Sequence, residues 1–165
     1  MKHLVLWRHA DAGDALADPA ADRLRPLSAH GRRQAREVAR WLAARLPPER
    51  LTVCSPAPRA RQTAEALDAS PRIDERLAPE RMLSDYLELL AQLGPTADMP
   101  ADTQSPQALV IVAHQPVIGE LCHRLLGMDE GSASVRKGAI WWFRFRERAD
   151  SALVLHAVIG PEMLG

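Results

Sequence analysis

Apolar positions along the chain fall into short compact runs separated by helically spaced stripes, and the two alternate. Residues 3 to 7 are compact and apolar, the pattern of a strand buried on both faces, and they predict a first, central strand. A polar loop with Asp11, Gly13, Asp14, Asp18, Pro19 and Asp22 follows. Ser28 then offers a helix N-cap, and Ala35, Val38, Ala39, Leu42 and Leu46 recur at helical spacing as the core-facing stripe of a helix to about Leu46. Arg32, Arg33, Arg36 and Arg40 lie largely on its outer face, and Pro47-Pro48 stops it. Leu51 to Cys54 predicts a second strand, and Ser55-Pro56 begins a helix through about Leu67.

A short edge strand is expected around Ile73, then a helix from about Pro79 to Leu93 with Met82, Leu83, Tyr86, Leu89, Leu90 and Leu93 available to the core. Gly94-Pro95 ends it. Gly94 to Gln107, rich in Pro, Asp, Thr and Ser, predicts a surface loop. Ala108 to Ala113 is the strongest strand signal, and His114-Gln115-Pro116 opens a helix to about Leu126 that Gly127 terminates. Ala139 to Phe145 and Leu153 to Val158 complete the set as two strands, with Trp141 and Trp142 on opposite faces. Strands alternating with helices predict an α/β fold, a three-layer α/β/α sandwich around a central, mostly parallel mixed sheet. Ligands of such sheets bind beyond the carboxyl ends of the strands.

Composition narrows the function classes. The 165 residues, 47% hydrophobic and 25% charged, suit one domain spanning 1–165. The longest apolar run has six residues (Ala108 to Ala113), against roughly 20 for a membrane span. No signal-peptide pattern opens the chain, so a cytoplasmic protein without a membrane role is expected. Lys+Arg and Asp+Glu are both 21, which gives no general electrostatic case for nucleic acid; any anion site must be local. Cys54 and Cys122 lack metal-like or redox-like spacing and are expected as buried reduced thiols.

Three strand ends deliver polar groups to one rim: Arg8 and His9, Ser55 to Arg59, and His114. A phosphoryl group calls for fixed positive charge, and arginine supplies a permanently charged planar fork, which Arg8 and Arg59 both fit. A helix starting near Pro56 adds backbone N–H groups and the positive end of its dipole beside Arg59. A histidine next to that pocket attacks phosphorus if one ring nitrogen is unprotonated, and a backbone acceptor on the other nitrogen would hold the required tautomer. His9 is the candidate.

Each piece alone is weak, and an Arg-His dipeptide is more often surface or satisfied core. Their joint occurrence, in order and at strand ends, is specific: Leu4-Val5-Leu6-Trp7-Arg8-His9-Ala10-Asp11-Ala12, Ser55-Pro56-Ala57-Pro58-Arg59-Ala60-Arg61-Gln62-Thr63, and Val110-Ile111-Val112-Ala113-His114-Gln115-Pro116. These resemble the three signatures of the histidine phosphatase superfamily, whose fold is phosphoglycerate mutase-like. The Arg-His-Ala-x-Ala form resembles its small SixA-type phosphohistidine phosphatase branch. The likeness extends to Arg25-Pro26-Leu27-Ser28 with Gly31, Gln34 and Ala35, and to Lys137-Gly138-Ala139-Ile140-Trp141-Trp142.

The resemblance implies that His9 is the phosphorylated nucleophile, that Arg8, Arg59 and His114 complete the phosphate pocket, and that neither metal nor other cofactor takes part. His114 would serve as a cationic donor to a phosphate oxygen once substrate is bound. The implied substrate is a phosphorylated histidine-phosphotransfer protein of two-component signalling; the alternative is a small phosphate ester or nucleotide-linked phosphate handled by the same residues. Arg25 has two readings, a phosphate contact or a loop pin paired with Asp22 or Asp18.

Two departures carry chemistry. Ala10 stands where the wider family has glycine, which the SixA-type branch accepts. If Leu77 is matched to the leucine preceding the general acid of longer members, Pro79 occupies the acid's place. Asp74, Glu75 and Glu80 are near, with solvated surface or helix N-terminal charge as their default reading. A leaving imidazole, unlike an alkoxide, needs no strong enzyme acid, so phosphohistidine fits the gap. A metal-dependent hydrolase built on His9, Asp11, Asp14 and His114 is the different mechanistic class; a phosphate-sensing module without turnover is the non-enzymatic one. His3, His30, His123 and His156 lack companions at ligand spacing and are read as strand-edge or helix-surface residues.

Overall fold

The structure, a computed structural model, describes residues 1–94, 106–129, 131–145 and 153–164. Its sheet holds β1 (His3–Arg8), β2 (Arg50–Cys54), β3 (Arg72–Ile73), β4 (Ala108–Ala113), β5 (Ile140–Phe145) and β6 (Leu153–Ile159), in the order β3-β2-β4-β1-β5-β6. Strands β3, β2, β4 and β1 run parallel; β5 is antiparallel to β1, and β6 to β5. This is the mostly parallel mixed sheet expected of a phosphoglycerate mutase-like α/β fold.

Strand alternation sorts the core into two halves. Val5 and Trp7 of β1 and Val110 and Val112 of β4 meet α2 (Ala29–Ala43) and α3 (Pro58–Glu65) on one face, through Val38, Ala39, Leu42, Ala60 and Ala64. Leu4 and Leu6, with Leu109 and Ile111, meet α4 (Leu83–Leu93) and α5 (Val117–Leu125) on the other, through Tyr86, Leu89, Ile118 and Leu121. Every residue of β4 is buried. Each such Val, Leu or Ile contributes about 2 kcal/mol by leaving water, so the strands that carry the rim residues are the most strongly held part of the sheet. Trp142 packs with Trp41 in the α2/α3 half, and the half-buried Trp141 packs on the α4/α5 half, as alternation requires.

Several boundaries differ from expectation, each for a local reason. A five-residue helix, α1 (Pro19–Arg23), interrupts the polar loop; Asp18 accepts from Ala20 N–H and Pro19 sits in its first turn. Helix α2 keeps its Ser28 cap but ends at Ala43, although Leu46 is still buried against it. Helix α3 starts at Pro58 rather than Ser55-Pro56, because Ser55 Oγ accepts from Ala57 N–H and bends the chain first. Helix α4 starts at Leu83 rather than Pro79, after a 3₁₀ turn (Glu75–Leu77) capped by Asp74. Of the Gly94 to Gln107 loop, residues 95–105 lie outside the described residues. Among the described residues no helix is long and apolar enough to cross a membrane.

Candidate active site

Strands β2, β4 and β1 are adjacent and parallel, so their carboxyl ends open at one rim. The ladder continues one residue past each strand: His9 N–H donates to Ala113 O at 3.0 Å and Ser55 N–H to Val112 O at 3.0 Å. His9, Ser55 and His114 therefore leave the sheet side by side. The His9 and His114 rings lie 5.1 Å apart between centroids.

His9 is 6% exposed. Its Nδ1 lies 2.8 Å from Ala10 O, and since a carbonyl only accepts, Nδ1 carries the hydrogen and Nε2 the lone pair. Burial, chiefly, and the charges of Arg59, Arg8 and Arg25 pull its pKa down to about 3 against the opposing effect of the Ala10 bond, so the ring is neutral near pH 7. Ala10 is fixed in turn: its N–H donates to Thr63 Oγ1 at 3.1 Å, and Thr63 donates to Arg59 O at 2.7 Å. The backbone that orients His9 and the helix that carries Arg59 thus share one threonine. The Ala10 methyl, where the wider pattern has glycine, is buried with Leu27 and Ala35. Glycine is required instead at Gly31, where a Cβ would stand 1.9 Å from Asp11 O.

His114 is 4% exposed, and its Nε2 lies 2.7 Å from Ser55 Oγ. Burial first, then His9, Arg59 and Arg8, lower its pKa to about 2, with Asp22 opposing. The unliganded ring is therefore neutral, and the cationic role implied by the resemblance requires an anion to bring the proton in. The ring does not cap α5, whose first turn bonds to the His114 carbonyl instead. Ser55 was part of the sequence pattern without a role; its hydroxyl is the group that holds His114. Only the adjacency of β2 and β4 could have revealed it.

The arginines converge from three elements. Arg8 donates through Nη1 to Val135 O at 2.7 Å, and Arg59, in the first turn of α3, through Nη1 to Asp22 O at 2.8 Å. Among the described residues Arg8 Nε, Arg59 Nε and His114 Nδ1 are buried without a hydrogen-bond partner. Three orphaned nitrogens in one cluster suit an oxyanion, since buried polar groups otherwise find partners. Arg25 pairs with Asp22 through Nε at 2.7 Å and donates to Ala12 O at 2.5 Å, so the loop-pin reading is realised, while its charge still acts on His9.

The acidic residues are committed elsewhere. Asp74 realises the helix N-terminal reading and not the solvated one: it caps the 3₁₀ turn by accepting from Arg76 N–H at 3.1 Å, and at 9% exposure the Arg76 guanidinium bonds both of its oxygens (2.9 and 2.8 Å) and keeps its pKa below the usual carboxylate range. Glu80 and Glu75 both face Arg23, at 2.6 and 3.7 Å. Asp11 accepts from Ser28 Oγ at 2.6 Å and from Lys137 Nζ at 2.9 Å, and these contacts, the serine first, hold its pKa at about 2. The ammonium of Lys137 thus already pairs with one oxygen of that carboxylate. Among the described residues no three His, Cys, Asp or Glu side chains are grouped to hold an ion, so His9, Asp11, Asp14 and His114 do not form a ligand set.

Comparison with known proteins bears on the family and the fold. The model of the histidine phosphatase superfamily (branch 1) matches residues 4–86, from β1 into α4. An uncharacterised protein of Picosynechococcus is 32% identical over 166 residues, covering 92% of this chain and 93% of that protein. The solved structure of the protein histidine phosphatase SixA complexed with tungstate superposes with a TM-score of 0.71 at 25% identity, covering 99% of each chain. A mycobacterial glucosyl-3-phosphoglycerate phosphatase shares the fold, with a TM-score of 0.69 at 21% identity over 95% of this chain and 98% of that one.

Proposed function

The chain belongs to the histidine phosphatase superfamily, and from that premise we propose that it is a metal-independent phosphatase whose nucleophile is His9 and whose substrate is phosphohistidine on a histidine-phosphotransfer protein. The observation that carries the reading is the Nδ1–H bond of His9 to Ala10 O, which leaves a neutral Nε2 lone pair beside cationic arginines. That lone pair attacks phosphorus in line. The N–P bond to His9 forms as the bond from phosphorus to the departing imidazole breaks, and that imidazole takes its proton on either nitrogen from solvent. Arg8 and Arg59 hold the oxygens whose charge spreads in the loose transition state, and His114 donates to one of them through Nδ1. Water then attacks phosphorus, the His9 N–P bond breaks, and orthophosphate leaves with the ring neutral again.

The ion pairs of Asp74 with Arg76 and of Glu80 with Arg23 support a leaving group that needs no enzyme acid. A panel comparing a phosphorylated histidine-phosphotransfer domain with phosphoserine and an alkyl phosphate tests the reading. Wild type should act on the phosphohistidine protein first, with EDTA without effect, and His9→Ala should lose at least about a thousandfold, as expected for removal of a covalent nucleophile. Efficient alkyl phosphate hydrolysis that collapses in a Glu75→Gln/Glu80→Gln variant would assign the site to small esters. Loss of turnover in EDTA, restored by Zn²⁺ or Mg²⁺, would overturn the metal-independent mechanism.

A further inference from the structure

We propose that Asp22 is a positioning residue that sets the net charge of the phosphate pocket, holding Arg59 and Arg25 from the side and offsetting part of their charge so that orthophosphate is released. The inference rests on the reading of Arg8 and Arg59 as the phosphate-binding pair. Helix α1 brings Asp22 to the pocket, where it makes two contacts to Arg59, two to Arg25 (the backbone N–H of Arg25 donates to its carbonyl at 3.2 Å) and one to Leu16. Its backbone carbonyl accepts from Arg59 Nη1 at 2.8 Å, and its carboxylate lies 3.5 Å from Arg59 Nη2. One carboxylate oxygen accepts from Arg25 Nε at 2.7 Å and from Leu16 N–H at 2.9 Å.

Arg59 in this contact is only 5% exposed while the Asp22 side chain is 22% exposed, so water screens the charge offset in part. Arg59, Arg8 and Arg25 all act on His9, and Asp22 opposes Arg59 and Arg8 at His114. The pocket is thus a strongly cationic site with a carboxylate built into its wall. A site with three guanidiniums and no opposing charge would hold the orthophosphate product as tightly as the substrate, and such uniform binding adds nothing to turnover. Asp22 repels any dianion seated on Arg59, and its backbone carbonyl keeps the Arg59 fork aimed whatever the state of the carboxylate.

Charge setting and mere structural support predict opposite signs in one substitution. Asp22→Asn keeps the backbone carbonyl and an amide oxygen for Arg25 and Leu16 N–H, and removes only the charge. Calorimetric titration of the full chain with orthophosphate and with tungstate at low salt should show the variant binding both anions about threefold to tenfold more tightly, the Coulomb effect of one partly screened charge a few ångströms away. Its KM and its orthophosphate inhibition constant should fall together while kcat stays level or drops, and Asp22→Glu should restore wild-type anion affinity. Anion binding that is unchanged or weaker in Asp22→Asn overturns the inference, because a carboxylate whose charge does not reach the anion leaves affinity level, and one that only supports Arg25 and the loop lowers it when altered. Should Asp22→Asn unfold, Asp22→Glu with wild-type stability and anion affinity weakened or tightened more than threefold also overturns it. The premise fails separately: wild type that binds neither anion, or an Arg59→Gln variant that binds as wild type does, removes the pocket reading itself.

Discussion

Acid should destabilise this protein well above the pH at which its carboxylates protonate, because the site holds two buried neutral histidines. In the folded state His9 titrates at about 3 and His114 at about 2, both driven down first by burial. In the unfolded chain a histidine titrates near 6.5, so below that pH the unfolded state binds protons that the folded state refuses. The stabilisation is complete above pH 6.5 and is lost as the pH falls toward the folded values. Each histidine contributes a slope of about 1.4 kcal/mol per pH unit, so lowering the pH from 6.5 to 4.5 removes on the order of 4 kcal/mol from the pair, against about 5–15 kcal/mol for a typical domain. Asp11, Asp22 and Asp74, whose folded pKa values are depressed, contribute stability that is lost only as the pH falls below about 4, so they do not produce this window. Urea midpoints at half-unit steps from pH 7.5 to 4.5 measure the slope. A His9→Asn/His114→Gln variant should flatten most of it, leaving the smaller share of His3, which burial also lowers. A level midpoint from 6.5 to 4.5, or a double variant with the wild-type slope, refutes the reasoning.

Two further outcomes follow from the same site. Quenching without acid during turnover, followed by mass spectrometry, should find a labile phosphate on His9; label on Asp11 or Ser55 would reassign the nucleophile. Arg59→Lys keeps a charge but loses the planar fork whose Nη1 is seated on Asp22 O and whose Nε is left for an anion, so kcat/KM should fall at least about tenfold. Equal activity in that variant would make Arg59 a structural charge.

The parts of this molecule that sequence reveals are those governed by local pattern or by a strand's end. Ala108–Ala113 was legible to the residue because a fully buried parallel strand has no polar position, and Ser28 because an N-cap needs its hydroxyl. The rim of His9, Arg59 and His114 was legible because topology, once alternating strands are recognised, puts carboxyl ends together. What was hidden depends on contacts across the sequence. Arg23 meets Glu80 across 57 positions, and Lys137 meets Asp11 across 126, separations over which charge pattern carries no register. Helix α1 was within reach, since Asp18-Pro19 is a cap followed by a first-turn proline, but five residues give no periodicity to see.

Two neutral imidazoles with centroids 5.1 Å apart are chemically alike, and burial moves both pKa values the same way, so acidity does not decide which is nucleophile and which is donor. The hydrogen-bond partner decides it. A carbonyl can only accept, so Ala10 O forces the hydrogen of His9 onto Nδ1 and leaves Nε2 as a lone pair in every neutral state. A hydroxyl can both donate and accept, and in the proposed mechanism the Ser55 hydrogen goes to Nε2 of His114, which leaves the unpartnered Nδ1 to carry the ring hydrogen. One ring therefore presents a lone pair and the other an N–H. In the proposed mechanism an arriving phosphoryl group meets a nucleophile and a donor that were distinguished before it bound, by a main-chain oxygen after β1 and a side-chain oxygen after β2.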